Sequence, residues 1–281
     1  MTSPTDQSVA GNAFLEIVNP SVDTSSIQHA LFDFDGTISV MREGWQEIMI
    51  PLFVEVLADT PNHEGIEQLE QYARDYVARS TGIDTIYQMI HLAEQVESRG
   101  GRPLDPLDYK KEYLKRLMDR ISSRIEAVRS GQVHPLDVTM KGAIAFLEMM
   151  RDHGVKMYVA SGTDHANVVD EATVVGAAQF FGEHIYGALD NYWERSKAKV
   201  IQDILQKNNL SGNSLVVFGD GFVEIENCKE AGGIAVGVAS DEVNRCGMNQ
   251  WKRERLIDAG ADVIIPDFSD IDALERFLFN S

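Results

Sequence analysis

Leu31-Phe32-Asp33-Phe34-Asp35-Gly36-Thr37 sets two carboxylates two residues apart, after a short apolar run and before a turn signal. Alternate residues of an extended chain point the same way, so Asp33 and Asp35 can aim at one site. Like charges this close are costly to hold, and a divalent cation is the usual compensation. Gly36 permits a sharp backbone turn or a close ligand approach. The stretch therefore predicts a strand that ends in a metal-assisted site for an anionic substrate.

Outward from it, residues 28–34, 155–160, 215–218, 234–239 and 263–265 read as buried strands, with a weaker one at 184–186. Each is short, partly β-branched and bounded by turn residues. Helical patterns lie between them. Residues 140–153 stop at Gly154, and 197–207 repeat apolar residues at Val200, Ile201, Ile204 and Leu205. Ser269 and Asp272 resemble a capping pair before Leu274, Phe277 and Leu278. Strands alternating with helices predict an α/β fold, a doubly wound parallel sheet covered on both faces.

The first strand ends near Asp33 and the next begins only near Val155. A crossover needs about a dozen residues, not about a hundred. The surplus is helical in pattern. Trp45, Ile48, Met49, Leu52, Phe53, Val56 and Leu57 make one stripe, with Pro51 inside it as a possible kink. Tyr113, Leu114, Leu117, Ile121, Ile125 and Val128 make another. The expected organisation is an N-terminal arm at 1–26, a core at 27–38 and 134–281, and an inserted α-helical domain at 39–133. An insert directly after the aspartates is placed to act as a lid.

A net charge of -19 argues against nucleic acid or an anionic membrane as the main partner. A phosphate site in such a chain needs a local cation. Cys228 and Cys246 have neither metal-ligand spacing nor a disulfide framework and read as reduced thiols of the cytoplasm. The polar N-terminus lacks signal-peptide blocks, no apolar run reaches membrane-span length, and no histidine pair forms a zinc motif.

Ligands of open α/β sheets bind at the carboxyl ends of the strands. Those ends present Asp33, Asp35 and Thr37, then Ser161-Gly162-Thr163, then Gly219-Asp220-Gly221 with Glu224 beyond. Ser196-Lys197-Ala198-Lys199 opens a helix between the last two. In order and placement, this set resembles the four motifs of the haloacid dehalogenase (HAD) superfamily of phosphohydrolases. The insert lies where that family's helical, C1-type caps lie, and the core would be its Rossmann-like sheet.

The resemblance implies Asp33 as nucleophile, forming an aspartyl-phosphate, and Asp35 as general acid and base. It implies Mg²⁺ held by the Asp33 side chain, the Asp35 main-chain carbonyl and Asp220, with Glu224 on the metal or its waters. Lys197, with Lys199 as the rival lysine, would bind phosphate with Ser161, Thr37 and the N–H groups of Phe34 and Gly162. Arg79-Ser80-Thr81-Gly82 resembles the cap's substrate loop, so Thr81 and Gly82 are substrate candidates. Arg42 is a candidate for a second anionic group, and Lys110, Lys111, Lys115 and Arg116 read as a solvated helix face. The expected protein is an Mg²⁺-dependent phosphatase of a small phosphorylated metabolite, a sugar phosphate among the options, working as monomer or homodimer. A phosphomutase using the same intermediate and a non-catalytic binding module are the alternatives.

Overall fold

The computed structural model describes residues 14–189 and 196–279. Strands β1 (Glu16–Ile17), β2 (His29–Phe32), β3 (Lys156–Asp164), β4 (Ile185–Ala188), β5 (Leu215–Gly219), β6 (Ile234–Val238) and β7 (Val263–Ile265) form one sheet, ordered β1-β7-β6-β5-β2-β3-β4. Only the β1–β7 pair is antiparallel. The sheet reverses direction of growth at β2, between β5 and β3, and that switch point carries Asp33. Within β2, Ala30 and Phe32 face one buried cluster and Leu31 the other, as strand alternation requires. Phe32 stacks on Phe218 at 4.9 Å between ring centres.

Four helices of the insert come next: α1 (Gln46–Ala58), α2 (Ile66–Arg79), α3 (Thr85–Ser98) and α4 (Pro106–Arg129). Met49, Leu52, Phe53 and Leu57 of α1 are buried, as are Tyr113, Leu117, Ile121, Ile125 and Val128 of α4. Helix α1 continues through Pro51. The Asp105 side chain accepts from Leu107 N at 2.8 Å and fixes the start of α4, with Pro106 in its first turn. The chain leaves and re-enters the core side by side. Val40 N donates to Val138 O at 3.0 Å, and Met140 N to Ile38 O at 2.8 Å.

The core helices are α5 (Ala143–Asp152), α6 (His165–Val174), α7 (Ala178–Phe181), α8 (Lys197–Asn208), α9 (Phe222–Glu230), α10 (Gln250–Asp258) and α11 (Ile271–Phe279). Several bounds differ from the sequence expectation for identifiable reasons. Helix α5 starts three residues late, at Ala143 and not 140, because Met140 is bonded to the outgoing chain. Strand β3 runs on from 160 to Asp164, with its register against β4 shifting between Ala160 and Asp164. Helix α11 is capped by Asp270, whose Oδ1 accepts from Ala273 N at 3.0 Å; Ser269 instead bonds Asp267. Part of the expected arm belongs to the sheet, as β1. Among the described residues, no helix is long and apolar enough to cross a membrane.

Candidate active site

Beyond β2 the backbone keeps the ladder for one residue, Asp33 N donating to Phe218 O at 2.8 Å, and then turns. Gly36 makes that turn at φ +75°, and a side chain there would run into the Asp220 carboxylate. The turn thus lays the aspartate loop against the end of β5. Helix α8 starts at Lys197 because the Ser196 hydroxyl accepts from Lys199 N at 3.3 Å. Lys197 is buried. Its ammonium lies 3.1 Å from Asp33 Oδ1 and also donates to Glu224 Oε1. Lys199 is exposed and lines a separate groove with Tyr158 and His184.

Burial pushes the Asp33 carboxyl up to about 7, against the pull of Lys197, and the charges of Asp220 and Asp35 add to the rise. Asp35 Oδ2 accepts from the Thr163 hydroxyl at 2.7 Å and from Ser161 Oγ at 3.4 Å. Its Oδ1 is buried without a hydrogen bond, 3.8 Å from Arg42 Nε. Arg42 is itself held by Glu171, through Nη2 to Oε1 at 2.6 Å and Nε to both oxygens at 3.1 Å. Glu171 comes from α6, which follows β3 directly.

Asp220, just past β5, is buried, and its Oδ2 accepts from Lys252 Nζ at 2.6 Å. The insert closes the opposite wall with Trp45, Thr81, Gly82, Gln88 and Tyr113, leaving a cleft of about 710 Å³, open mouth included. Gly82, at φ +90°, packs against the core: a Cβ there would lie 2.8 Å from Gly221 Cα. Arg255 of α10 donates to Ala78 O at 2.7 Å and to Arg79 O, fastening the end of α2 to the core. Lys110 of α4 pairs with Asp164.

Of the residues singled out from sequence, Asp33, Asp35, Ser161, Gly162, Lys197, Asp220, Arg42, Thr81 and Gly82 all line this cleft. Others sit differently. Thr37 is fully buried, its hydroxyl has no partner, and it does not line the cleft. Glu224, expected on the metal, is engaged by Lys197 on one oxygen, while the other is buried without a partner. Arg42, though it lines the cleft, has its guanidinium bonded to Glu171. Lys110, read as solvated, is buried in its ion pair with Asp164, whereas Lys111 on the same helix is exposed. Sequence reading missed Thr163, Glu171, Glu242 and Lys252. The Ser161-Gly162-Thr163 run held a signal for Thr163; the other three reach the site only through the fold.

A divalent cation suits this donor set. The Asp220 charge adds to the rise at Asp33, so the two carboxylates lie within electrostatic reach, and Asp35 follows Asp33 by two residues. Among the described residues no cluster of three or more His, Cys, Asp or Glu side chains forms a complete cage. Two carboxylates with a carbonyl and water favour a hard, partly hydrated ion such as Mg²⁺ over zinc.

No curated protein matches the sequence. Solved structures match the fold. A predicted phosphoglycolate phosphatase from Haemophilus somnus aligns at TM-score 0.59 and 16% identity, over 90% of this chain and 99% of its own. A predicted phosphatase from Clostridium acetobutylicum gives 0.58 and 18%, over 90% and 99%. A β-phosphoglucomutase from Clostridium difficile gives 0.57 and 10%, over 89% and 96%. The model of the haloacid dehalogenase-like hydrolases matches residues 27–232, which hold the aspartate loop, Ser161, Lys197, Asp220 and Glu224. The chain therefore belongs to the haloacid dehalogenase-like hydrolase family.

Proposed function

We propose that this hydrolase is an Mg²⁺-dependent phosphatase of a small phosphorylated metabolite, working through an aspartyl-phosphate on Asp33. The observation that carries the reading is the Lys197 ammonium, 3.1 Å from Asp33 Oδ1 at the floor of a cleft shared by core and insert. Lys197 opposes the burial that raises the Asp33 carboxyl and offers positive charge to the equatorial phosphoryl oxygens. Glu224 fixes the lysine. Asp33 attacks phosphorus, and the phosphorus–leaving-oxygen bond breaks.

Asp35, oriented by Thr163 and Ser161, gives the leaving oxygen its proton. It then takes one from the water that opens the acyl phosphate, releasing inorganic phosphate and restoring Asp33. Ser161 and the main-chain N–H groups of Phe34 and Gly162 would donate to phosphoryl oxygens. The bound cation would screen the phosphate's charge from the nucleophile; Asp33, Asp220 and the Asp35 carbonyl would hold it. The insert acts as a cap: Thr81, Gly82, Gln88, Trp45 and Tyr113 face the leaving group and set its identity. A reducing cytoplasm and a small-molecule partner suit this reading.

A panel of phosphorylated metabolites, with and without Mg²⁺, tests it. Mg²⁺-dependent phosphate release from one of them is expected. Isomer formation without release would replace the phosphatase with a mutase.

A further inference from the structure

Lys252 has no place in the mechanism above, yet its ammonium is bonded to Asp220, one of the two carboxylates proposed to hold the cation. It is the third residue of α10, and the helix start is fixed by Asn249 Oδ1, which accepts from Lys252 N at 3.1 Å. Asn249 N in turn donates to Ala239 O at 2.8 Å, which closes the loop after β6 onto its own base. The lysine stem is buried and its ammonium uses all three donors. They go to Asp220 Oδ2 at 2.6 Å, Glu242 Oε1 at 2.8 Å and Ser240 Oγ at 3.0 Å. The Ser240 hydroxyl donates onward to Gly36 O at 2.8 Å, in the aspartate loop. Glu242 also lines the cleft.

The carboxylates around this point are Asp33, Asp35, Asp220, Glu224 and Glu242, with Asp241 near Lys252 and Arg255 within electrostatic reach of Asp220. Lys197 is hydrogen-bonded to Asp33 and Glu224, and Arg42 to Glu171. Among the described residues, Lys252 is the cation hydrogen-bonded to both Asp220 and Glu242.

We propose that Lys252 is a positioning residue that acts as a resident cation: it holds Asp220 and the aspartate loop together without metal and lowers the site's affinity for Mg²⁺, with Glu242 as its counter-charge. The proposal rests on the Mg²⁺ reading of the site given above. One Asp220 oxygen stays on the ammonium, leaving the other for the metal. A positive charge this close opposes a divalent ion even at an effective dielectric near 20. Glu242 relieves that opposition.

Calorimetric titration of Mg²⁺ into the full-length chain at low ionic strength, without substrate, tests this. Lys252→Met removes the repulsion and frees Glu242, so its Kd should fall by roughly tenfold or more. Glu242→Gln leaves the ammonium to Asp220 alone, so its Kd should rise by roughly threefold or more. A purely structural role weakens both variants or moves neither, and either result overturns the proposal. If Lys252→Met does not fold, the Glu242→Gln shift decides, and an unchanged or tighter Kd there overturns it. If neither the native chain nor the variants bind Mg²⁺, the Mg²⁺ reading itself fails, and the role of Lys252 with it.

Discussion

Glu171→Gln probes the ion pair that stands behind Asp35. Glu171 is 1% exposed and Arg42 is 7% exposed, so the pair is out of water. Removing one partner of a buried pair costs about 3–5 kcal/mol, mostly because the other charge is left behind. Glutamine keeps an acceptor for one N–H, which recovers about 1 kcal/mol. The net loss in urea unfolding should be about 2–4 kcal/mol. The catalytic effect follows from the 3.8 Å separation of Arg42 Nε and Asp35 Oδ1. Without Glu171, the guanidinium is free to turn to Asp35 and engage the carboxyl oxygens that must handle the proton.

A general acid is worth about 10²–10⁴ in rate, so partial loss of it should lower kcat about 10–100-fold. Hydrolysis of a chromogenic phosphate ester in excess Mg²⁺ reads this directly. The Arg42→Met/Glu171→Met double variant serves as control. Apolar replacement of a buried pair is often near neutral in stability, and it frees Asp35 of Arg42, so kcat should recover relative to Glu171→Gln. Unchanged kcat in Glu171→Gln, with a stability loss under about 0.5 kcal/mol, would refute the reasoning.

Lys197→Met leaves Asp33 and Glu224 buried together without their cation; a kcat loss of about 10²–10³ is expected in the same assay, and full turnover would remove Lys197 from the mechanism. Gly82→Ala forces an alanine to φ +90° and sets its Cβ 2.8 Å from Gly221 Cα. Backbone strain of about 1–2 kcal/mol and a lifted cap edge should lower kcat/KM with little change in the unfolding midpoint of the core; steady-state kinetics on a cleft-filling substrate would show it, and an unaltered kcat/KM would count against cap closure at this seam. Chelation with EDTA should abolish phosphate release, and Mg²⁺ in excess should restore it; activity that survives dialysis against chelator would contradict the metal role.

Much of this site is local in sequence, which is why it was legible there. The aspartate loop sets two aspartates and a glycine in one turn, so Asp33, Asp35 and Gly36 lie within four residues. Lys197 is marked by the Ser196 cap that starts its helix. The parallel strands are mostly apolar because helices cover both faces. What stayed hidden is the support around these residues. Glu171 and Lys252 lie on helices with no strong apolar stripe, where a charged residue reads as solvent-facing, and only the packing of α6 and α10 turns them inward.

Lys110 was misread for the same reason: one face of α4 meets Asp164 while Lys111 next to it is exposed. The extension of β3 to Asp164 follows a register shift that no periodicity announces. Glu224 was placed on the metal by resemblance; its contact with Lys197 depends on how α9 leaves β5.

The central claim is that Asp33 carries the phosphoryl group. The direct measurement is a rapid acid quench during turnover of a phosphate ester with Mg²⁺, followed by proteolysis and mass spectrometry. The account predicts one acid-stable phosphoryl group on the peptide containing Asp33, and neither label nor turnover in Asp33→Asn. Turnover in Asp33→Asn at the native rate, with no labelled peptide in either protein, would contradict it.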